Sequence, residues 1–166
     1  LTVQFNQEAT ITSPYWINQW VWTLGDSAIN VSNPDPIMVY DPPNVSDVDS
    51  ISYDVSLRVT SYNGCTDTLS VQDLITVYPL PEAFFRTDPN KLATILEPIF
   101  EFTDLSSENV SSWYWEFGDG GSATFDSPTH TFSDTGEYTV NLFVETAMGC
   151  TDHITYTVIV EPIFTF

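Results

Sequence analysis

The sequence predicts an all-β fold made of two tandem β-sandwich domains. Short apolar runs alternate with polar residues at a period of two, and clusters of Asn, Asp, Gly and Pro separate these runs at regular intervals. The 166 residues would fit one domain or two, so length alone leaves the domain count open. An internal repeat decides between the two alternatives.

The repeat is clearest around two tryptophan pairs. The segment WVWTLGD at 20–26 recurs as WYWEFGD at 113–119, an offset of 93 residues. Further along, YDVSLRV at 53–59 recurs as YTVNLFV at 138–144, an offset of 85 residues. The difference of 8 residues between these offsets predicts an insertion in the first copy, in a long loop around 41–50.

A third match and a pair of prolines define the domain boundary. The offset of 85 also relates GCTD at 64–67 to GCTD at 149–152. Between the copies, the prolines of YPLP at 78–81 stiffen the chain and cannot donate a hydrogen bond within a central strand. We therefore expect a first domain over 1–78 and a second over 81–161.

The ends of the chain predict two further features. Residues 1–5 match the strand expected around 99–102, so the first domain should lack its opening strand. Residues 162–166 follow the second copy and should begin a further domain.

Large apolar side chains alternate along the predicted central strands, so each domain needs a facing sheet to bury them. About seven short strands per copy, with no segment of helical period, indicate an immunoglobulin-like sandwich. The expected cores are separate, one holding Trp22, Leu57 and Val59 and the other holding Trp115, Phe117, Val140 and Leu142.

The second copy resembles the PKD (polycystic kidney disease) domain family. The resemblance spans nearly all of 81–161 and depends on WYWEFGDGG, then SPTHTF, then TGEYTVNLFVETAMGCTD. The first copy is similar but diverged, since it keeps Trp22, Gly25 and Asp26 but has Ser27 where the second glycine of the turn belongs. The resemblance implies two tandem, PKD-like, immunoglobulin-like β-sandwiches.

Tandem modules of this kind that end in an Asn-Gly-Cys-Thr-Asp hairpin, as at 63–67, are similar to large surface and secreted proteins of gliding Bacteroidota. The closing segment EPIFTF at 161–166 is similar to the lead-in to a type IX secretion sorting domain. The resemblance thus implies an adhesin-like cargo of type IX secretion, with gliding motility as its context.

The charge of the chain excludes two classes of partner. There are 23 acidic residues and 3 basic residues, which give a formal net charge of -20. Such a surface repels nucleic-acid phosphates and anionic lipid headgroups. No apolar run approaches the roughly 18 residues that cross a bilayer. We expect an extracellular or cell-surface protein with no nucleic-acid partner and no membrane insertion.

The residue types needed for catalysis are scarce. His130 and His153 are the only side chains suited to acid-base chemistry near neutral pH, and each lies in a predicted strand without Cys or a carboxylate at ligand spacing. No Gly-x-Ser-x-Gly, His-Glu-x-x-His or P-loop spacing occurs. The sequence predicts that the protein is not an enzyme and needs no cofactor.

Calcium is the one cofactor that the acidic residues do not exclude. Asp47 and Asp49 have a next-but-one spacing that could bind calcium from a loop, but they lack the glycine and distal glutamate of an EF-hand. Asp26 and Asp119 could also be metal ligands. We favour turn capping for these two, because the glycines around Asp119 permit positive φ and its carboxylate can accept backbone N–H bonds.

Two aromatic residues are candidate glycan contacts. Tyr15 and Trp16 precede the first tryptophan strand in a stretch without clean alternation, so they could form an exposed platform on which sugars stack. Burial under a loop is the alternative that we favour, because large rings usually add to core area.

Cys65 and Cys150 are a pair in number but occupy equivalent positions in the two copies. A disulfide needs Cα atoms about 4.4–6.8 Å apart, so we predict that these cysteines are not bonded to each other.

Two functions from different classes remain. The first is a non-catalytic extracellular spacer or adhesion module that presents or links other domains of a larger protein, with surface polysaccharide or another surface protein as further partners. The alternative is a glycan- or substrate-binding accessory module of a secreted enzyme.

Overall fold

The computed structural model describes residues 1–11, 16–25, 27–31, 34–42 and 50–163, and its regular secondary structure is entirely β-strand. The all-β prediction is therefore confirmed. The chain forms two compact units, of which the first ends at Tyr78 and the second begins at Pro79. No helix that could cross a membrane occurs in the described part of the chain.

The first unit has two antiparallel sheets. One has the strand order β3-β2-β5-β6, and the other pairs β1 with β4. The strands are β1 (Thr2–Gln4), β2 (Ile17–Leu24), β3 (Ser27–Val31), β4 (Ile37–Val39), β5 (Ile51–Ser61) and β6 (Thr66–Val77).

The second unit is a sandwich of a five-stranded and a three-stranded sheet, with the orders β11-β10-β13-β14-β8 and β12-β9-β7. All pairs are antiparallel except β8 with β14. The strands are β7 (Phe85–Asp88), β8 (Leu92–Thr94), β9 (Ile99–Asp104), β10 (Val110–Glu116), β11 (Ser122–Ala123), β12 (Thr129–Thr131), β13 (Gly136–Thr146) and β14 (Thr151–Glu161).

The sequence repeat reappears in the strand register. Trp22 lies opposite Leu57 in the β2–β5 ladder, and Trp115 lies opposite Leu142 in the β10–β13 ladder. Each ladder also shifts register near the start of its tryptophan strand, after Ile17 in one and after Val110 in the other. Both offsets of the repeat, 93 and 85, therefore correspond to equivalent positions in the two units.

The start of the chain also matches the second unit. The Phe5 N–H donates to the Pro36 carbonyl at 3.0 Å, as the Phe102 N–H donates to the Pro128 carbonyl at 2.8 Å. These bonds extend the β1–β4 and β9–β12 pairs, so residues 1–5 correspond to 98–102. The described residues of the first unit form no counterpart of β7 or β8.

One irregularity of the first unit was not predicted from the sequence. Val55 pairs with Val71, whereas Tyr53 pairs with Ile75, so β6 contains a bulge. Asp73 lies in this bulge with a φ of 49°, and its N–H donates to the Asp54 carboxylate at 2.9 Å. This capping stabilises a left-handed backbone conformation that Asp adopts more readily than most residues.

Each unit has its own hydrophobic cluster. In the second unit, the predicted core is confirmed, because Trp115, Phe117, Val140 and Leu142 are at most 1% exposed. In the first unit, Trp22 is 6% exposed, as expected. Leu57 and Val59 were also predicted to be fully buried. This prediction was wrong, because both residues are only half-buried.

The two cysteines follow equivalent turns, and both thiols are free. The Ser61 N–H donates to the Cys65 carbonyl at 2.8 Å, and the Thr146 N–H donates to the Cys150 carbonyl at 2.9 Å. The Ser61 hydroxyl accepts the Cys65 N–H at 3.1 Å, and the Thr146 hydroxyl accepts the Cys150 N–H at 3.2 Å. Both hydroxyl-bearing residues are buried. The repeated GCTD motif therefore follows a hairpin turn with the same bonding in each copy.

We predict that Trp115→Ala lowers the free energy of unfolding of the second unit by about 3–5 kcal/mol, because it leaves a cavity in a fully buried site. The neighbouring Tyr114 is 44% exposed, so Tyr114→Ala should cost no more than about 0.5 kcal/mol and serves as the control. Urea unfolding followed by NMR amide signals of each unit measures both effects. Equal losses for the two variants would contradict the assigned core.

Candidate functional site

Of the residues named as candidate glycan or metal contacts, Trp16 and Asp119 lie in the described part of the chain. Tyr15, Asp47 and Asp49 lie outside the described residues, as does Asp26. Trp16 is described and is 61% exposed, so the favoured interpretation of burial under a loop was wrong for this residue.

Trp16 lies beside a second exposed ring. Its ring centroid is 5.8 Å from that of Tyr62, which is 68% exposed. The Tyr62 N–H donates to the Trp16 carbonyl at 3.1 Å, which holds the hairpin turn that carries Tyr62 against the start of β2. Sequence reasoning missed Tyr62, although its place beside Asn63 and Gly64 in a tight turn favours exposure.

A larger aromatic row crosses the outer face of the five-stranded sheet in the second unit. Tyr114 on β10 lies opposite Phe143 on β13, which lies opposite His153 on β14. The ring centroids are 6.2 Å apart for the first pair and 5.7 Å apart for the second, and the second pair is stacked. All three side chains are exposed, Tyr114 to 44% and Phe143 to 40%.

The aromatic row borders a shallow, open depression of about 340 Å³. Glu145 and Asp152 also line it, and the Asp152 carboxylate accepts the Ala83 N–H at 2.8 Å. Flat rings beside hydrogen-bond acceptors suit ligands with an apolar face and polar edges, because the rings stack while the carboxylates accept hydrogen bonds. The corresponding positions of the first unit are Val21, Arg58 and Thr68, so this row belongs to the second unit alone.

Asp119 pairs with a histidine that sequence spacing did not connect with it. The Asp119 carboxylate accepts the Gly121 N–H at 2.9 Å and contacts His130 Nε2 at 2.8 Å. The imidazole of His130 also stacks on Phe117, with ring centroids 4.0 Å apart. The sequence has no carboxylate at ligand spacing from His130, but the fold brings the Asp119 carboxylate to it from the turn before β11.

The turn itself forms as predicted. Gly118 has a φ of 84°, and a Cβ at this position would lie 2.6 Å from the Thr139 carbonyl oxygen. Glycine is therefore needed both for the backbone conformation and for the close approach to β13. The capping role expected for Asp119 is confirmed by its bond to the Gly121 N–H.

The Asp119 carboxylate titrates below its ordinary range. Partial burial by itself raises the pKa of Asp119, but the hydrogen bonds from His130 and from the Gly121 N–H, together with the charge of His130, lower it overall. An Asp–His pair is one half of a catalytic triad, but no described hydroxyl or thiol is hydrogen-bonded to His130. The pair holds the turn against β12.

Metal ligation has no support in the described residues. No three His, Cys, Asp or Glu side chains converge there in an arrangement that could hold a metal ion.

The second unit, with its two facing sheets and its buried tryptophan, is a β-sandwich of the immunoglobulin-like class. Residues 81–160 match the family model described as PKD domain.

Two curated proteins are similar to part of the chain. A microbial collagenase of Vibrio alginolyticus is 37% identical over 70 residues, which are 38% of this chain and 9% of that protein. Collagenase ColA of Bacillus cereus is 42% identical over 52 residues, which are 30% of this chain and 5% of that protein. The chain thus spans less than a tenth of the length of these relatives.

A solved structure of the PKD1 domain from the Vibrio cholerae metalloprotease PrtV is also similar. It is 27% identical with a TM-score of 0.44, and the match covers 49% of this chain and 98% of that one.

We predict that Asp119→Asn lowers stability at pH 7, by less than about 1 kcal/mol because the pair is partly exposed. The folded state holds the pKa of Asp119 below 3.8, so the carboxylate's stabilisation is present above that pH and is lost as pH falls through the folded pKa. The difference between the two proteins should therefore shrink below about pH 4. Urea midpoints from pH 7 to pH 3 measure it.

Asp126→Asn, at an exposed position, is the matched control and should leave the midpoints within error of the parent. A stability difference for Asp119→Asn that is the same at pH 3 and pH 7 would contradict the assigned hydrogen bonds.

Proposed function

We propose that this chain is a non-catalytic extracellular module that spaces or presents other domains of a larger secreted or cell-surface protein. The observation that carries the proposal is the PKD match over 81–160, together with relatives in which the similar segment is only 9% and 5% of a long protein. A segment that occupies so small a share of an enzyme is suited to an accessory role. The net charge of -20 supports the same role by keeping the surface soluble.

Neighbouring domains of the same polypeptide are the first partners of such a module. A surface polysaccharide or another surface protein is the second class of partner, because adhesion requires a surface beyond the polypeptide itself. Gliding Bacteroidota and type IX secretion remain a proposal that depends on the hairpin and EPIFTF motifs alone. The curated relatives come from Vibrio and Bacillus and do not support it. The sequence of the gene downstream of Phe166 tests it.

The alternative, a glycan- or substrate-binding accessory module, is favoured by one observation. The row of Tyr114, Phe143 and His153 is exposed on a regular sheet face, where a pure spacer needs no aromatic side chains. Both curated relatives are collagenases, so fibrillar collagen is the first protein ligand to examine. Trp16 and Tyr62 form a second exposed pair for a glycan.

We predict that the chain neither cleaves nor is retained by fibrillar collagen, cellulose or chitin, because a spacer needs no ligand of its own. Co-sedimentation with each polymer, followed by assay of soluble products, measures both properties. Retention on collagen that falls at least about tenfold in Tyr114→Ala/Phe143→Ala but not in Trp16→Ala would replace the spacer with the accessory module. The reverse pattern on a polysaccharide would assign glycan binding to the Trp16–Tyr62 pair.

A further inference from the structure

The first unit contains an open apolar cleft of about 510 Å³ between its two sheets. Leu69, Val71 and Leu74 on β6 form one side, and they are 68%, 38% and 49% exposed. Phe5 and Trp22 lie at its base. Apolar side chains at this level of exposure, gathered in one concave surface, mark a site that another apolar group can fill.

The second unit shows what fills the same place. Phe85 on β7 is 0% exposed, and its ring centroid lies 4.9 Å from that of Trp115, 6.0 Å from Phe102 and 4.7 Å from Tyr156. The counterparts of these three partners are Trp22, Phe5 and Val71, and all three line the cleft. The cleft therefore lies where a β7-like phenylalanine would be buried.

The burial of the surrounding side chains differs accordingly. Leu142 and Val144 are 0% and 2% exposed in the second unit, where β7 and its neighbours cover them. Their counterparts, Leu57 and Val59, are only half-buried and line the cleft. A strand placed over the cleft would bury the same positions in both units.

Backbone groups at the rim are positioned to pair with such a strand. In the second unit, the N–H groups of Leu105 and Ser107 donate to the carbonyls of Phe84 and Glu82, at 2.8 and 3.0 Å. The counterparts of Leu105 and Ser107 are Glu8 and Thr10, because the turn between them has the same bonding: Ala9 N–H to Gln7 matches Ser106 N–H to Asp104.

The N–H groups of Glu8 and Thr10 make no hydrogen bond to any described residue. Glu8 lines the cleft, and Thr10 follows two residues later along the same edge. This edge is of the kind to which an extended peptide adds.

A carboxylate at the cleft completes the correspondence. Asp152, the aspartate of the second GCTD motif, accepts the N–H of Ala83 at 2.8 Å and so fixes the segment that leads into β7. Asp67 is the equivalent residue of the first GCTD motif, and it is exposed at the rim of the cleft. One oxygen of the Asp67 carboxylate accepts the Thr68 N–H at 2.9 Å, and the other oxygen accepts no hydrogen bond from a described residue. That second oxygen is the one that could take the part that Asp152 plays toward Ala83.

We propose, on the basis of the proposed place of this chain in a larger polypeptide, that this cleft is a strand-acceptor site that binds an extended β-strand with a buried phenylalanine, supplied by another segment of that same polypeptide. The strand pairs along Gln4–Thr10, inserts its phenylalanine between Trp22 and Val71, and donates a backbone N–H to Asp67. The alternation of the donor follows that of Ala83–Thr87, in which Ala83, Phe85 and Thr87 are buried and Phe84 and Arg86 are exposed.

The charge around the cleft favours a basic residue in the inserted strand. Glu8 and Asp67 line the cleft, and the chain as a whole is strongly acidic. Two of the three basic residues of the chain, Arg86 and Lys91, lie in or next to β7 in the unit where the place is filled. A donor strand with a lysine or arginine at an outward position would reduce the repulsion that an acidic strand meets.

The test adds the strand that fills this place in the second unit to the start of the first unit. A fusion carries a second copy of residues 81–97 directly before Leu1 of the complete chain, because Leu1 corresponds to Pro98. We expect the amides of Glu8 and Thr10 to exchange with D₂O at least about tenfold more slowly than in the parent chain. The thermal midpoint of the first unit should rise by several degrees, on the order of 5 °C.

Two variants separate insertion from a non-specific effect of the extension. Phe85→Asp in the added copy should abolish the gain in protection, because an ionised carboxylate cannot replace the ring in the cleft. Asp67→Ala in the fusion should reduce the gain, whereas Asp41→Ala, at an exposed position of the same unit, should not.

Unchanged exchange at Glu8 and Thr10 in the fusion would overturn the proposal, as would equal protection in the Phe85→Asp fusion. Concentration-dependent dimerisation of the parent chain that protects Leu69 and Val71 would also overturn it, because a second copy would then cover the cleft.

Discussion

The burial of one tryptophan between two facing sheets is the interaction on which the second unit depends. Trp115 is fully buried, with Phe85 and Phe102 of the opposite sheet against its ring. Its Nε1 donates to the Phe125 carbonyl at 3.0 Å, which also satisfies the one polar atom of the side chain. Water is kept away from a ring of this size only when a second sheet covers it. The burial of Trp115 therefore requires β7 and β9 to lie over the central strands.

The equivalent tryptophan shows how much of the repeat can vary while this interaction persists. Trp22 keeps its place on the central strand, its ring lies 5.6 Å from that of Phe5, and its Nε1 donates to the Pro34 carbonyl at 3.0 Å. Among the described residues, fewer strands lie over it, and Leu57 and Val59 are only half-buried. One repeated core thus gives a closed unit in one copy and a unit with an open cleft in the other.

Features that would support binding lie outside these cores. Exposed rings on a regular sheet face oppose solubility unless charge compensates, and the 23 acidic residues supply that compensation. The acidic surface suits a module attached to larger neighbours, while the aromatic row of the second unit offers a place for a ligand to stack. The same domain can therefore serve as a spacer and still carry a binding face.

The sequence by itself determined the features that depend on local pattern: the tryptophan strands with their alternating faces, the glycine turn capped by Asp119, and the core of the second unit. Each follows from residues that are neighbours in the chain. Only the tertiary structure decided the contacts between distant segments. These are the pair of His130 with Asp119, the row of Tyr114, Phe143 and His153, the exposed contact of Trp16 with Tyr62, and the bulge at Asp73. Strand register selects such partners, and register depends on how whole sheets pair rather than on local alternation.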